Sequence, residues 1–352
     1  MKVGTQHLFI LSLTIFSLLT TNISLANKSG KASSVNKSVK PNTQGTKIRI
    51  GWIYSMANAP AIIAEKKGYF LEQGLSVSLK SYKVGPDLYK DVKAGKIDIA
   101  YIGVPPIYHS HAKGLKNKII AKVNYGQSSV IVHNNSTVKK IEDLRGLKLA
   151  GYKTGSGMDV LLRGYILSEL AGINPRSDVN IITISPEKMG SAIEQKTVAA
   201  AFSWEPFTSK YLLRGNTKII LDVNKEIPRY PWYVIMAMPK AIKNKRAGIV
   251  KVIKAHKKAI AFLNSSPTAG DKIITQAFNL TPVKNKQKRV YSSAEIIAQA
   301  KKRLGWQARL TRNDARFMQK LVNYSYKLGY IKNKINVNDI IDISFLFEAV
   351  IN

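Results

Sequence analysis

Residues 47–68 read KIRIGWIYSMANAPAIIAEKKG, and this stretch decides the fold. Ile48, Ile50 and Trp52 alternate with Lys47, Arg49 and Gly51, the period of two that lets a strand bury one face. A loop follows over residues 54–58. Asn58 can cap the helix that starts there. Pro60 sits in the first turn, where a missing N–H costs nothing, and Gly68 stands where the helix should stop. Strand, loop and helix in immediate succession make the opening half of a β–α–β unit.

Downstream the pattern repeats. Leu75, Val77 and Leu79 alternate as a second strand; residues 86–94 form a helix stopped by Gly95, and residues 97–102 a buried strand. Gly103 and Pro105-Pro106 open another helix, which ends at Gly114, and residues 119–123 are a further strand. A second run places strands at 147–152, 181–184, 198–202 and 219–223, with helices at 157–170, from Ser185-Pro186-Glu187, and at 205–213. Strands alternating with short helices predict an α/β chain with parallel sheets covered on both faces. Two apolar extended segments, 129–133 and 232–238, are expected to cross between the runs. After Pro239 the chain reads as helical, with capping-box spacing at Ser292 and Glu295 and a long helix from Thr311 to near Gly329. The expectation is two α/β lobes joined by two crossover strands: residues 47–132 plus 235–352 in one lobe, 133–234 in the other, hinged at the crossovers.

Upstream, Lys2 precedes an apolar run at 8–19, and Ser24-Leu25-Ala26 supplies small residues for cleavage. This predicts a secretory signal peptide over 1–26 and a mature chain starting at Asn27. The run is short for a membrane span. Residues 27–46 are rich in Lys, Ser, Asn and Gly and read as a disordered spacer. The 352 residues include no cysteine, so no disulfide, thiol nucleophile or N-terminal lipid cysteine is available, and a soluble exported product is expected in a periplasm. The net charge of +34 by itself would suggest nucleic acid or an anionic surface. The basic residues are scattered and no nucleic-acid motif accompanies them, so no nucleic-acid partner is expected and most lysines are read as solvated.

Ligands of open α/β sheets sit beyond the carboxyl ends of the strands. Those ends supply the candidate ligand-binding residues. Ser55, Met56 and Asn58 follow the first strand, Gly103 and Val104 the third. Thr154, Gly155, Ser156 and Gly157 form a loop whose glycines admit close approach and whose helix-start N–H groups favour an anion. The plainer reading makes Ser156 an ordinary cap. Trp204 could wall the site and Glu205 could accept from an amine, which would favour a zwitterion or cation over a bare anion. The plainer reading packs Trp204 in the core and leaves Glu205 in a first helical turn. Tyr233 lies on the return crossover, beside Trp232. His109 and His111 are two apart on a predicted helix and point to different faces, so no metal site is read there, and His133 is read as structural. No nucleophile–base–orienter set and no phosphate loop stands out, so no catalytic residue and no cofactor is assigned.

Four segments carry a resemblance. They are Ala64-Glu65-Lys66-Lys67-Gly68-Tyr69-Phe70 with Gln73-Gly74-Leu75, Ala94-Gly95-Lys96-Ile97-Asp98-Ile99-Ala100, Ile141-Glu142-Asp143-Leu144-Arg145-Gly146-Leu147-Lys148, and Ala201-Phe202-Ser203-Trp204-Glu205-Pro206-Phe207. In this order the chain resembles the substrate-binding proteins of the nitrate/sulfonate/taurine class of ABC importers, a superfamily shared with thiamine-pyrimidine synthase-like proteins. The resemblance covers roughly residues 47–241. It implies a type 2 periplasmic-binding-protein fold, a small-molecule solute in the inter-lobe cleft, importer permease subunits as partners, a monomer and no enzymatic activity. The chain departs from many relatives at Ala150-Gly151-Tyr152, and it lacks the cysteine-rich motif of the synthases. An enzyme of this fold in thiamine or menaquinone precursor synthesis, and an exported sensory module, are the rival readings.

Overall fold

The computed structural model describes residues 45–83 and 85–350. The signal peptide and nearly all of the spacer expected from the sequence lie outside these residues. Among the described residues no helix is long and apolar enough to cross a membrane.

The first run folds as β1 (Thr46–Ile53), α1 (Ala59–Lys66), α2 (Tyr69–Glu72), β2 (Leu75–Tyr82), α3 (Gly85–Lys93), β3 (Ile99–Gly103), α4 (Val104–His111) and β4 (Lys118–Lys122). The chain then passes through β5 (Asn124–Gly126) into β6 (Ser128–His133). The second run continues with β7 (Lys148–Gly151), α5 (Gly157–Val160), π-type turns over Leu161–Leu170, β8 (Asn180–Thr183), α6 (Pro186–Glu194), β9 (Ala200–Trp204), α7 (Phe207–Arg214), β10 (Thr217–Asp222) and α8 (Val223–Glu226). β11 (Tyr233–Ala237) returns the chain to the first sheet. The remainder comprises α9 (Pro239–Ser265), α10 (Pro267–Phe278), β12 (Val283–Lys284), β13 (Val290–Tyr291), α11 (Ser293–Ala300), β14 (Leu304–Trp306), α12 (Arg312–Lys327) and α13 (Ser344–Glu348).

Two five-stranded sheets result, ordered β2-β1-β3-β11-β4 and β10-β6-β9-β7-β8. Neither is purely parallel, contrary to expectation. β1, β2 and β3 pair in parallel, as do β7, β8 and β9, but β11 runs antiparallel to both its neighbours and so does β6. The reason is topological: each sheet receives one strand that arrives from the other run and therefore enters from the opposite end. The apolar segments expected to be crossovers are thus inner strands. β6 belongs to the second sheet, where the sequence boundary at 132 had put it in the first. The true links are shorter. One is β5, paired with β14; the other includes Pro231, bridged to Tyr125 of β5.

Strands buried on both faces explain the continuous apolar runs. Ile50, Ile99, Tyr101, Val234 and Ile235 are buried in the first sheet. In the second, Ile131, Ala201, Met189, Ile193 and Tyr211 form a separate apolar cluster between the sheet and α6 and α7.

α12 touches both halves. Tyr108 on α4 donates to the Leu321 carbonyl at 3.1 Å and shares a 2.8 Å hydrogen bond with Ser325. On its other side Lys320 donates to Glu169 at 2.6 Å and Tyr324 donates to the same carboxylate. Gly164 makes this approach possible, because a Cβ there would stand 2.3 Å from the Tyr324 ring.

Candidate functional site

The carboxyl ends of the two sheets converge. Ser55 follows β1 by two residues and caps the next turn, its Oγ accepting from the Ala57 N–H at 3.3 Å. Tyr233 begins β11 opposite Gly103, the cap residue of α4. The Tyr233 phenol is pushed up to about 12 by burial; a hydrogen bond with Ser55 pulls the other way, and Tyr152 is close enough to add to the rise. Tyr152 follows β7 of the second sheet. Tyr152 stacks edge-on against Trp204 at 5.2 Å, and Trp204 against Phe207 at 5.9 Å. Gly157 closes the gap from the second sheet: a methyl there would lie 3.4 Å from both Pro105 and Trp232.

The structure therefore brings together Ser55, Gly103, Gly157, Trp204 and Tyr233, and adds Tyr152 and Trp232. Other expected site residues have different roles. Met56 and Val104 are core side chains. Asn58 is fully buried and does not cap α1; its amide donates to the Ile53 carbonyl at 2.8 Å instead, because Ser55 already caps the turn. Thr154 is exposed.

The loop at Gly155 does not present all its donors. Gly155 has φ +75°, a conformation that suits glycine, and its N–H is taken by Asp159 Oδ2 at 3.0 Å. Ser156 Oγ accepts from the Asp159 N–H at 3.3 Å, so Ser156 is the helix cap. The fully buried Asp159 carboxylate also accepts from Arg163 Nε at 2.6 Å and from the Tyr330 phenol at 2.5 Å. An internal carboxylate thus occupies part of the position where the sequence placed an anionic ligand.

Glu205 is the clearest correction. It is fully buried, its Oε1 accepting from Arg303 Nε at 2.6 Å and its Oε2 from the Ser209 N–H at 3.1 Å. Arg303 also donates to Ser209 Oγ at 2.9 Å. Burial pushes the carboxyl above its usual range, while Arg303 opposes that rise. The carboxylate binds the protein's own cation, not a group in the cleft.

Sequence reasoning missed Asp159, Arg303 and Tyr330. Asp159 carries a local signal, three residues after Ser156. Arg303 and Tyr330 carry none, since only tertiary folding brings them in. A separate pocket of about 210 Å³ lies beyond Phe207, lined also by Glu187, Lys210, Tyr211, Arg214, Pro282 and Val283. None of the residues chosen from sequence lines it. Its walls are α6, α7 and the β12 hairpin, whereas the strand ends meet around Tyr152 and Tyr233, so the candidate site is placed at the strand ends. Among the described residues no group of His, Cys, Asp or Glu could hold a metal ion.

Two mixed sheets with converging strand ends and paired links define a periplasmic-binding-protein fold, and solved structures agree. The periplasmic aliphatic sulphonate binding protein SsuA of Escherichia coli superposes with a TM-score of 0.72 at 20% identity, covering 84% of this chain and 92% of that one. The periplasmic nitrate-binding protein NrtA of Synechocystis PCC 6803 gives 0.68 at 15%, covering 87% and 88%. The chain belongs to the NMT1-like family, whose model matches residues 42–277. A Bacillus subtilis (strain 168) protein named for aliphatic sulfonates binding is 25% identical over 311 residues, 86% of this chain and 88% of that protein.

Proposed function

We propose that this chain is the periplasmic solute-binding component of an ABC importer, exported through its signal peptide, and that it closes over a small organic solute of the sulfonate, taurine or nitrate-like class. The carrying observation is the meeting of the two sheets at Gly157, where a methyl would lie 3.4 Å from both Pro105 and Trp232, beside the Tyr152–Trp204 pair. Such a site is made by bringing two bodies together, which suits capture and release. The family membership and the names of the relatives support the same reading. The lobes are then the two sheets with their helices, and the hinge lies in the links around Tyr125 and Pro231 rather than in β6 and β11. Ser55 and the two phenols supply hydrogen bonds, while Trp204 and Trp232 supply apolar walls. With Glu205 held by Arg303, that carboxylate does not select a cationic group on the solute.

A thermal-shift screen of the mature chain against alkanesulfonates, taurine, nitrate and pyrimidines tests the reading, because a ligand that binds only the folded form raises its melting temperature. A saturable rise with one class, reproduced by calorimetry, is the expected result. No rise with any of them, or turnover of the solute that does bind, would overturn it.

A further inference from the structure

Phe207, Lys210, Tyr211 and Arg214 stand at i, i+3, i+4 and i+7 of α7, a spacing that puts them on one face of the helix. That face walls the pocket of about 210 Å³, which Glu187 of α6 and Pro282 and Val283 at β12 complete. The wall is held in place. Tyr211 is buried and donates to the Pro186 carbonyl. Gly190 makes room for its ring, since a Cβ there would stand 2.3 Å from it. Arg214 donates to Glu194 at 3.0 Å, and Asn216 donates to the same carboxylate. Phe207 stacks edge-on against Trp204, so the pocket lies one aromatic ring behind the strand-end site.

Two charges in this pocket are left over. Among the described residues the Lys210 and Glu187 side chains make no ion pair and no hydrogen bond, whereas Arg214 is spent on Glu194. Lys210 is half-buried. Burial lowers the pKa of its ammonium; Glu187 opposes the shift and Arg214 adds to it. A partly desolvated ammonium without a partner carries a cost that an acid oxygen would remove. Glu187 is exposed and equally without a partner.

These charges select what can enter. A bare anion meets the Glu187 carboxylate, and a bare cation meets Lys210 with Arg214 beside it. A molecule with one charge of each sign satisfies both groups, and Phe207, Tyr211, Pro282 and Val283 offer carbon surface to its apolar part. We propose that this pocket is a second binding site, for a small zwitterion of the aliphatic amino-acid class, whose acid end meets Lys210 and whose ammonium meets Glu187. The site does not depend on the solute bound at the strand ends, because neither charged residue belongs to that cluster.

The experiment is calorimetric titration of the mature chain with L-alanine and L-leucine, and with isocaproate and isoamylamine, which keep the leucine side chain and lack its ammonium or its carboxylate. L-leucine is expected to bind saturably, and each single-charge analogue about tenfold more weakly or worse. Lys210→Met and Glu187→Gln should each weaken L-leucine about tenfold with the melting temperature unchanged, because neither side chain bonds to the rest of the protein. Tyr233→Phe, at the strand ends, should leave L-leucine affinity as it is. No binding of either amino acid, isocaproate bound as tightly as L-leucine, or a loss from Tyr233→Phe with Lys210→Met and Glu187→Gln silent would each overturn the proposal. A failed sulfonate screen would leave an L-leucine result intact, and the reverse holds too.

Discussion

Arg303 donates to Glu205 across 2.6 Å with the arginine side chain 9% exposed and the carboxylate fully buried. The pair ties α7 of the second sheet to the β14 ribbon that pairs with the linker strand β5. A charge left alone in such a place is costly. Glu205→Gln should therefore lower stability by about 3–5 kcal/mol, the usual cost of breaking a buried pair from one side. Solute affinity should stay within about twofold, a few tenths of a kcal/mol. Denaturant unfolding and calorimetry on the same variant read both numbers. Intact stability with affinity lost would return the carboxylate to the cleft.

Tyr233 gives the opposite signature. Its phenol lies near enough to Ser55 and Tyr152 for both to act on its proton, and Tyr233 starts β11 beside Trp232, which Gly157 of the second sheet approaches. Tyr233→Phe keeps the ring and removes one hydrogen-bonding group, so affinity should fall about fivefold, near 1 kcal/mol, with little change in stability. Titration of the variant with the solute found by screening checks this. Unchanged affinity would move the solute off Tyr233.

Tyr330 and Asp159 make a latch between the end of α12 and the start of α5. Asp159 also holds the Gly155 N–H, so the latch reaches the loop that borders the cleft. Opening the lobes requires either α4 or the second sheet to release α12. Tyr330→Phe should favour the open form and weaken solute binding about threefold to tenfold, as expected when the closed state loses one hydrogen bond. Small-angle scattering should show a larger radius of gyration for the unliganded variant than for the parent. Equal radii and equal affinities would show that the hydroxyl does not hold the lobes.

What could be read from sequence was whatever local chemistry controls. Ser292 and Thr311 do form capping boxes with Glu295 and Asp314. Ile48, Ile50 and Trp52 do bury one face of a strand. Strand direction was not legible, because 128–133 looks alike whether it links sheets or completes one, and only pairing with β9 and β10 decides. Glu205 failed for a similar reason. A carboxylate at a strand end faces a ligand unless a cation arrives first, and that cation stands 98 residues away. Ser55, Gly103, Gly157, Trp204 and Tyr233 were reachable because a general rule places ligands at strand ends, whatever the side chains.

His256 offers a test through pH. It lies fully buried on α9, with Nε2 3.0 Å from the Lys122 carbonyl and Nδ1 3.4 Å from the Tyr101 hydroxyl. Neutral imidazole fits this setting: Nε2–H donates to the carbonyl and Nδ1 accepts from the phenol. Burial holds the ring's pKa down at about 4, with the Lys122 carbonyl opposing the shift. In the unfolded chain it returns to about 6.5. Between those values the unfolded state binds the extra proton, so stability rises with pH across the window. The contribution is complete above about pH 6.5 and is lost as pH falls towards 4, amounting to about 3 kcal/mol at most. Asp98 acts lower. Burial pushes its carboxyl up, but hydrogen bonds from Arg49 and Lys245 outweigh that and hold it at about 2, so its contribution fades only below the histidine's window. Urea unfolding at steps from pH 7 to pH 4.5 should show stability falling in the parent. The His256→Gln variant starts lower, having lost the ring's packing, and should lose roughly half of the parent's acid sensitivity, the rest persisting because burial also holds His109 on α4 down at about 4. Parallel curves for the two proteins would assign the acid sensitivity to other groups.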